Sequence, residues 1–130
     1  MPKNKSKGSN AERDLFRKFV ENDYRAVRVA GSGQMENADC DLIAGKKGKS
    51  KYSVEVKSSR KPYKYISKEQ IENFKTFSDL FGLKPVIALK FFREDWIFIT
   101  VNQMRDSGKN FVISLEEAKK KGKKFSDFFK

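Results

Sequence analysis

The chain of 130 residues contains no histidine and one cysteine, Cys40. Without histidine, Ser-His-Asp and Cys-His catalysis, a histidine general base and most zinc sites are excluded. A lone cysteine excludes an internal disulfide and suits a reducing, cytoplasmic setting. No apolar run approaches the roughly 20 residues needed to cross a bilayer, and MPKNKSKGSN is not followed by the apolar stretch of a secretory signal. No membrane partner is expected. Any metal must then be held by oxygen, which points to Mg²⁺, with Mn²⁺ able to substitute.

What the chain has is positive charge. The 29 Lys+Arg against 17 Asp+Glu leave a formal charge of +12. Solubility requires less, and the partner this implies is a polyanion, with nucleic acid ahead of membrane. The charge is also clustered, in 46–64 and in the KKKGKK run of 119–124.

The pattern predicts one domain. Residues 1–8 read as a flexible basic arm, 9–118 as the folded domain, and 119–130 as a basic tail ending in a Phe-rich segment. A helix is expected from Ala11, with Leu15, Phe16, Phe19 and Val20 on its apolar face. Strands follow at 25–30, 41–44 and 52–57, the last two as a hairpin. A second helix begins after Ser67, whose Ser-Lys-Glu-Gln run fits a capping box. It buries Ile71, Phe74, Phe77 and Phe81 and ends at Gly82. Strands at 86–92, 96–101 and 111–113 and a helix after Ser114 complete an α/β fold, a mixed central sheet flanked by helices.

The acids are the informative residues in so basic a chain. Glu55 and Lys57 lie two apart on one strand and share a face. Asp41 begins the neighbouring strand, so the hairpin can bring it beside Glu55. Adjacent carboxylates repel and need a cation. Asp41, Glu55 and the Val56 carbonyl could hold a hard divalent ion that keeps several waters. That arrangement suits phosphodiester hydrolysis, with Lys57 holding the attacking water or countering charge on the phosphorus. Glu12 lies on the apolar stripe of the first helix and is a candidate third acid, directly or through water. Ser32, between Gly31 and Gly33, could cradle a phosphate. Arg13, Arg28, Arg60 and Lys61 are candidate phosphate contacts.

Several segments together resemble the archaeal Holliday junction resolvase family. They are Lys7-Gly8…Glu12-Arg13, Val27-Arg28-Val29-Ala30-Gly31-Ser32-Gly33, Asp41-Leu42-Ile43-Ala44, Glu55-Val56-Lys57 and Trp96-Ile97-Phe98-Ile99. That family belongs to the nuclease superfamily named for a Pro-Asp…(Asp/Glu)-x-Lys signature. Cys40 stands here where the signature has proline, and Asp41, rather than Asp39, directly precedes the Leu-Ile-Ala strand. The resemblance implies a restriction-endonuclease-like core and a homodimer that binds four-way DNA junctions and nicks opposed strands in pairs. It also implies that Asp41 and Glu55 bind Mg²⁺, that Lys57 assists the water, that Glu12 completes the acid cluster and that Ser32 acts from its loop. Two other readings stay open: a nuclease of the same core acting on other branched or duplex DNA, and a basic nucleic-acid-binding module whose acids are structural.

The C-terminal Phe125-Ser126-Asp127-Phe128-Phe129 is similar to the box by which repair and replication proteins plug into the sliding clamp, with Gly122 where that box usually has Gln. The alternative is a helix end whose Phe125, Phe128 and Phe129 pack back on the body.

Overall fold

The computed structural model describes the backbone of residues 2–29 and 39–130, and the side chains within that range from Asn10 onward. Helix α1 spans Pro2–Glu21, beginning well before the expected Ala11. Leu15 and Phe19 are fully buried on its inner stripe. Asp23, at φ 69°, turns the chain in the left-handed region into strand β1 (Arg25–Arg28). Strands β2 (Leu42–Gly45) and β3 (Tyr52–Ser59) form the expected hairpin, with Leu42 opposite Val54. Strand β4 (Tyr63–Ser67) leads into helix α2 (Lys68–Phe81), which Gly82 closes at φ 85°.

Strand β5 (Lys84–Phe91) returns parallel to β3, and β6 (Ile97–Ile99) pairs antiparallel to β5. A 3₁₀ turn at Val101–Gln103 precedes β7 (Arg105–Ser107), β8 (Asn110–Ser114), α3 (Leu115–Lys121) and α4 (Phe125–Phe128). The main sheet has the order β1-β2-β3-β5-β6, and β4-β8-β7 form a second, smaller sheet. The fold is thus the expected mixed α/β domain.

Both faces of the main sheet are covered, and alternation along each strand divides the apolar residues between two cores. On one face Leu15 and Phe19 of α1 meet Leu42, Val54, Val86, Ala88 and Phe98. On the other, Ile71 and Phe74 of α2 and Ile66 and Ile113 of the small sheet meet Ile87, Leu89 and Ile99. The second core also contains Ser53 and Ser78, whose hydroxyls bond each other at 2.5 Å. The expected inner face of α2 needs one correction: Ser78 is buried, whereas Phe81, 61% exposed, and Leu80, 82% exposed, face outward.

The segment read as a basic tail, 119–130, is built into the domain. Lys119–Lys121 complete α3, and Lys123 bridges to Phe98 of β6. Phe125 and Phe129 are each only 7% exposed. Phe129 lies 5.0 Å from each of Phe19, Tyr52 and Phe98, ring centre to ring centre. The half-buried Phe128 packs against Phe98 and Tyr52. The alternative of packing back on the body is the arrangement seen here, with Phe125 and Phe129 in this chain's own core. Gly122 has a local reason as well: a Cβ there would run into Ile97 Cγ2 and the Ala118 carbonyl.

Candidate active site

Parallel pairing of β3 with β5 carries β3 past the end of β2, and a cleft of about 440 Å³ opens at that step. Its walls are Glu12 of α1, Asp39 and Asp41 before β2, Glu55, Val56 and Lys57 of β3, and Ser67, Glu69, Gln70 and Asn73 around the start of α2. The Asp41 N–H donates to the Val54 carbonyl at 2.9 Å. Its carboxylate Oδ2 in turn accepts the Val56 N–H at 2.8 Å. These two bonds place Asp41 beside Glu55. Backbone groups of one strand residue point to the same side, so the Val56 carbonyl faces the edge that β2 vacates.

Glu55 is 5% exposed. Its Oε2 accepts from Gln70 Nε2 at 2.6 Å and from Lys57 Nζ at 3.3 Å. Burial, and then the charge of Asp41, push its carboxyl up to about 7, despite the opposing pull of Lys57 and Gln70. The same burial and the same two acids push the Cys40 thiol up to about 12 and keep it inert beside the cleft. Lys64, on β4, is lowered by burial and then by Lys57, so positive charge is crowded at this end of β3.

The donors that the cleft offers a cation are hard oxygens: the carboxylates of Asp41 and Glu55 and the Val56 carbonyl. This set fits Mg²⁺ or Mn²⁺ and lacks the nitrogen or sulfur ligands that zinc takes. Glu12 lines the cleft, but it pairs with Arg28 at 3.2 Å across the turn to β1. Among the described residues no group of three acids is gathered as the side chains stand.

Of the predicted phosphate contacts, Arg13, Arg60 and Lys61 are exposed, while Arg28 is held by Glu12. Ser32 lies outside the described residues. Gln70 was legible only as a cap. The Ser67 side chain does accept the Gln70 N–H at 3.1 Å, but the reciprocal half of the capping box is not made. The Gln70 amide turns to Glu55 instead.

The family model described as archaeal Holliday junction resolvase (Hjc) matches residues 3–130. The crossover junction endodeoxyribonuclease Hjc of Archaeoglobus fulgidus is 36% identical over 132 residues, covering 96% of each chain. That of Methanocaldococcus jannaschii is 42% identical over 107 residues, 82% of this chain and 75% of its own. The solved structure of Archaeoglobus fulgidus Hjc, a Holliday junction resolvase, superposes with a TM-score of 0.85 at 30% identity, covering 93% of this chain and 98% of that one. The chain therefore belongs to the archaeal Holliday junction resolvase family.

Proposed function

We propose that the chain is a crossover junction endodeoxyribonuclease that resolves four-way DNA junctions by paired, metal-dependent hydrolysis on opposite strands. The observation that carries this reading is the pairing of Asp41 and Glu55 in one cleft with Lys57 at 3.3 Å from Glu55, in a chain of this family. Asp41, Glu55 and the Val56 carbonyl would hold Mg²⁺, or Mn²⁺ in its place. When bound, that ion supplies polarisation of the phosphate and acidification of a water.

The chain's own groups do the rest. The Val56 N–H fixes the Asp41 carboxylate, and Gln70 fixes Glu55. Lys57 orients the attacking water or offsets charge as the new P–O bond forms and the old one breaks. Glu12 acts through water and keeps Arg28 at the rim. Arg13, Arg28, Arg60 and Lys61 bind backbone phosphates, and Ser32 contributes to the same chemistry. These phosphate contacts set position and affinity, not sequence preference.

The active unit we propose is a homodimer, since a substrate with two-fold symmetry is met by a two-fold protein. Support comes from Leu80 and Phe81, which stay exposed at the end of α2 while the strand phenylalanines are largely buried. Sedimentation at micromolar concentration tests this: a dimer is expected, and a monomer that still cuts both strands in concert contradicts it.

The reading as a whole is tested with a four-way junction of fixed arms, labelled strand by strand, in Mg²⁺ with excess linear duplex. Paired nicks on opposed strands are expected. Cutting suppressed by the duplex points to a nuclease for other DNA, and binding without cutting to a non-catalytic module.

A further inference from the structure

Phe92 is 51% exposed on the turn after β5. A single exposed phenylalanine is ordinary, but its surroundings are not. The Arg93 guanidinium stands 5.0 Å from the ring centre and that of Arg60 5.5 Å. Neither arginine has a carboxylate partner among the described residues, so the ring gathers two uncompensated charges. Arg93 adopts the left-handed region at φ 62°, unusual for a side-chain-bearing residue. The Phe92 N–H donates to the Ser59 carbonyl at 2.9 Å, which pins the turn to the end of β3.

Behind the ring lies a groove of about 590 Å³ whose lining includes Ser58, Lys64, Lys90 and Trp96, with Asp14 as its acid. Asp14 pairs with Arg17 at 3.6 Å. The turn of α1 over residues 10–14 is the wall between this groove and the catalytic cleft: Glu12 lines one, Asn10 and Asp14 the other. Ser59 follows Glu55 by four residues on one strand, about 13 Å. That span corresponds to about four base-pair steps of duplex.

We propose that Phe92, flanked by Arg60 and Arg93, is the element that reads the branch point. Its ring inserts against bases at the exchange point while the two guanidiniums hold phosphates on either side. The inference rests on the proposed junction-resolving function and names the residue that supplies its selectivity. Phosphate contacts alone bind linear and branched DNA alike. Insertion of an apolar wedge into a continuous duplex requires a stacked step to be opened. At a branch point the stack is already interrupted, so the same ring favours branched DNA.

The test places 2-aminopurine at the exchange point of a fixed junction, with a linear duplex of the same sequence as control, in EDTA. Wild type is expected to raise the junction's fluorescence. Phe92→Ala should abolish the rise and weaken junction binding roughly 10-fold, as loss of one base–aromatic stack does, with duplex affinity unchanged within about 2-fold. Phe92→Trp should restore both signals and shows that the site tolerates substitution. A full rise in Phe92→Ala, or equal weakening on both DNAs, overturns the inference alone. A wild type that does not prefer the junction overturns the proposed function, and the inference with it.

Discussion

Gln70 donates from Nε2 to Oε2 of Glu55 at 2.6 Å, so the first turn of α2 holds a carboxylate of β3. A helix start and a strand that are fifteen residues apart thereby share one site. Gln70→Ala should lower junction cleavage about 10-fold and raise the Mg²⁺ concentration required, with junction affinity unchanged, as for other partners that orient metal-binding carboxylates. Mg²⁺ titration of cleavage at fixed enzyme checks this. An unchanged titration would mean that Gln70 only caps its helix.

The raised carboxyl of Glu55, at about 7 against an ordinary 4.5, makes metal-free stability depend on pH. Between those values the folded chain keeps a proton that the unfolded chain has released. Stability is therefore greatest below about pH 4.5 as far as this group is concerned, and its contribution, about 3 kcal/mol, is lost as pH rises through about 7. In EDTA, urea midpoints should fall across this window for wild type and stay flatter for Glu55→Gln. As a proposed ligand of Mg²⁺, Glu55 has to give up the same proton, so Mg²⁺ affinity should weaken below pH 7 and its binding should release protons. Calorimetry in buffers of different ionisation enthalpy reads that release.

Ser53 and Ser78 form the buried hydroxyl pair of the second core, and Ser78 also donates to the Phe74 carbonyl at 2.7 Å. Ser78→Ala leaves Ser53 without this partner and should cost about 1–2 kcal/mol. The double variant with Ser53→Ala should cost less than the two single changes together, because no hydroxyl is then stranded. Denaturant unfolding of the four proteins closes the cycle.

Phe129 sits among Phe19, Tyr52, Phe98 and Phe125. Phe129→Ala should destabilise the fold by about 3 kcal/mol and lower the melting temperature by about 10 °C. Removal of residues 123–130 should be more damaging. A truncated chain with an unchanged melting temperature would return the segment to the role of a docking tail.

The sequence made most of β3 readable. Tyr52, Val54 and Val56 alternate with Ser53, Glu55 and Lys57 along β3, although burial does not follow the alternation: Ser53 and Glu55 are buried as Val54 is. The hairpin also brings Asp41 beside Glu55, its register set by the pairing of Leu42 with Val54 rather than by the loop of residues 46–51. β4 and β7 were not legible. β7 is three polar residues, Arg105–Ser107, and β4 mixes exposed tyrosines with one buried isoleucine, so neither carries a periodic signal. Phe81 was misplaced because helical spacing extends past the point where α2 leaves the sheet. The fate of Phe125, Phe128 and Phe129 turned on tertiary contacts with α1 and β6, about which a four-residue helix says nothing locally. Gln70 in the site was hidden for a similar reason: its cap motif predicts a local bond, and a long-range one to Glu55 won.

Asp41 and Glu55, as the proposed hydrolytic centre, are tested together by Asp41→Asn and Glu55→Gln on a strand-labelled four-way junction in Mg²⁺, with binding measured on the same samples. Both variants should bind the junction as wild type does, and neither should produce nicks. Paired nicks at wild-type rate from either variant would contradict that proposal.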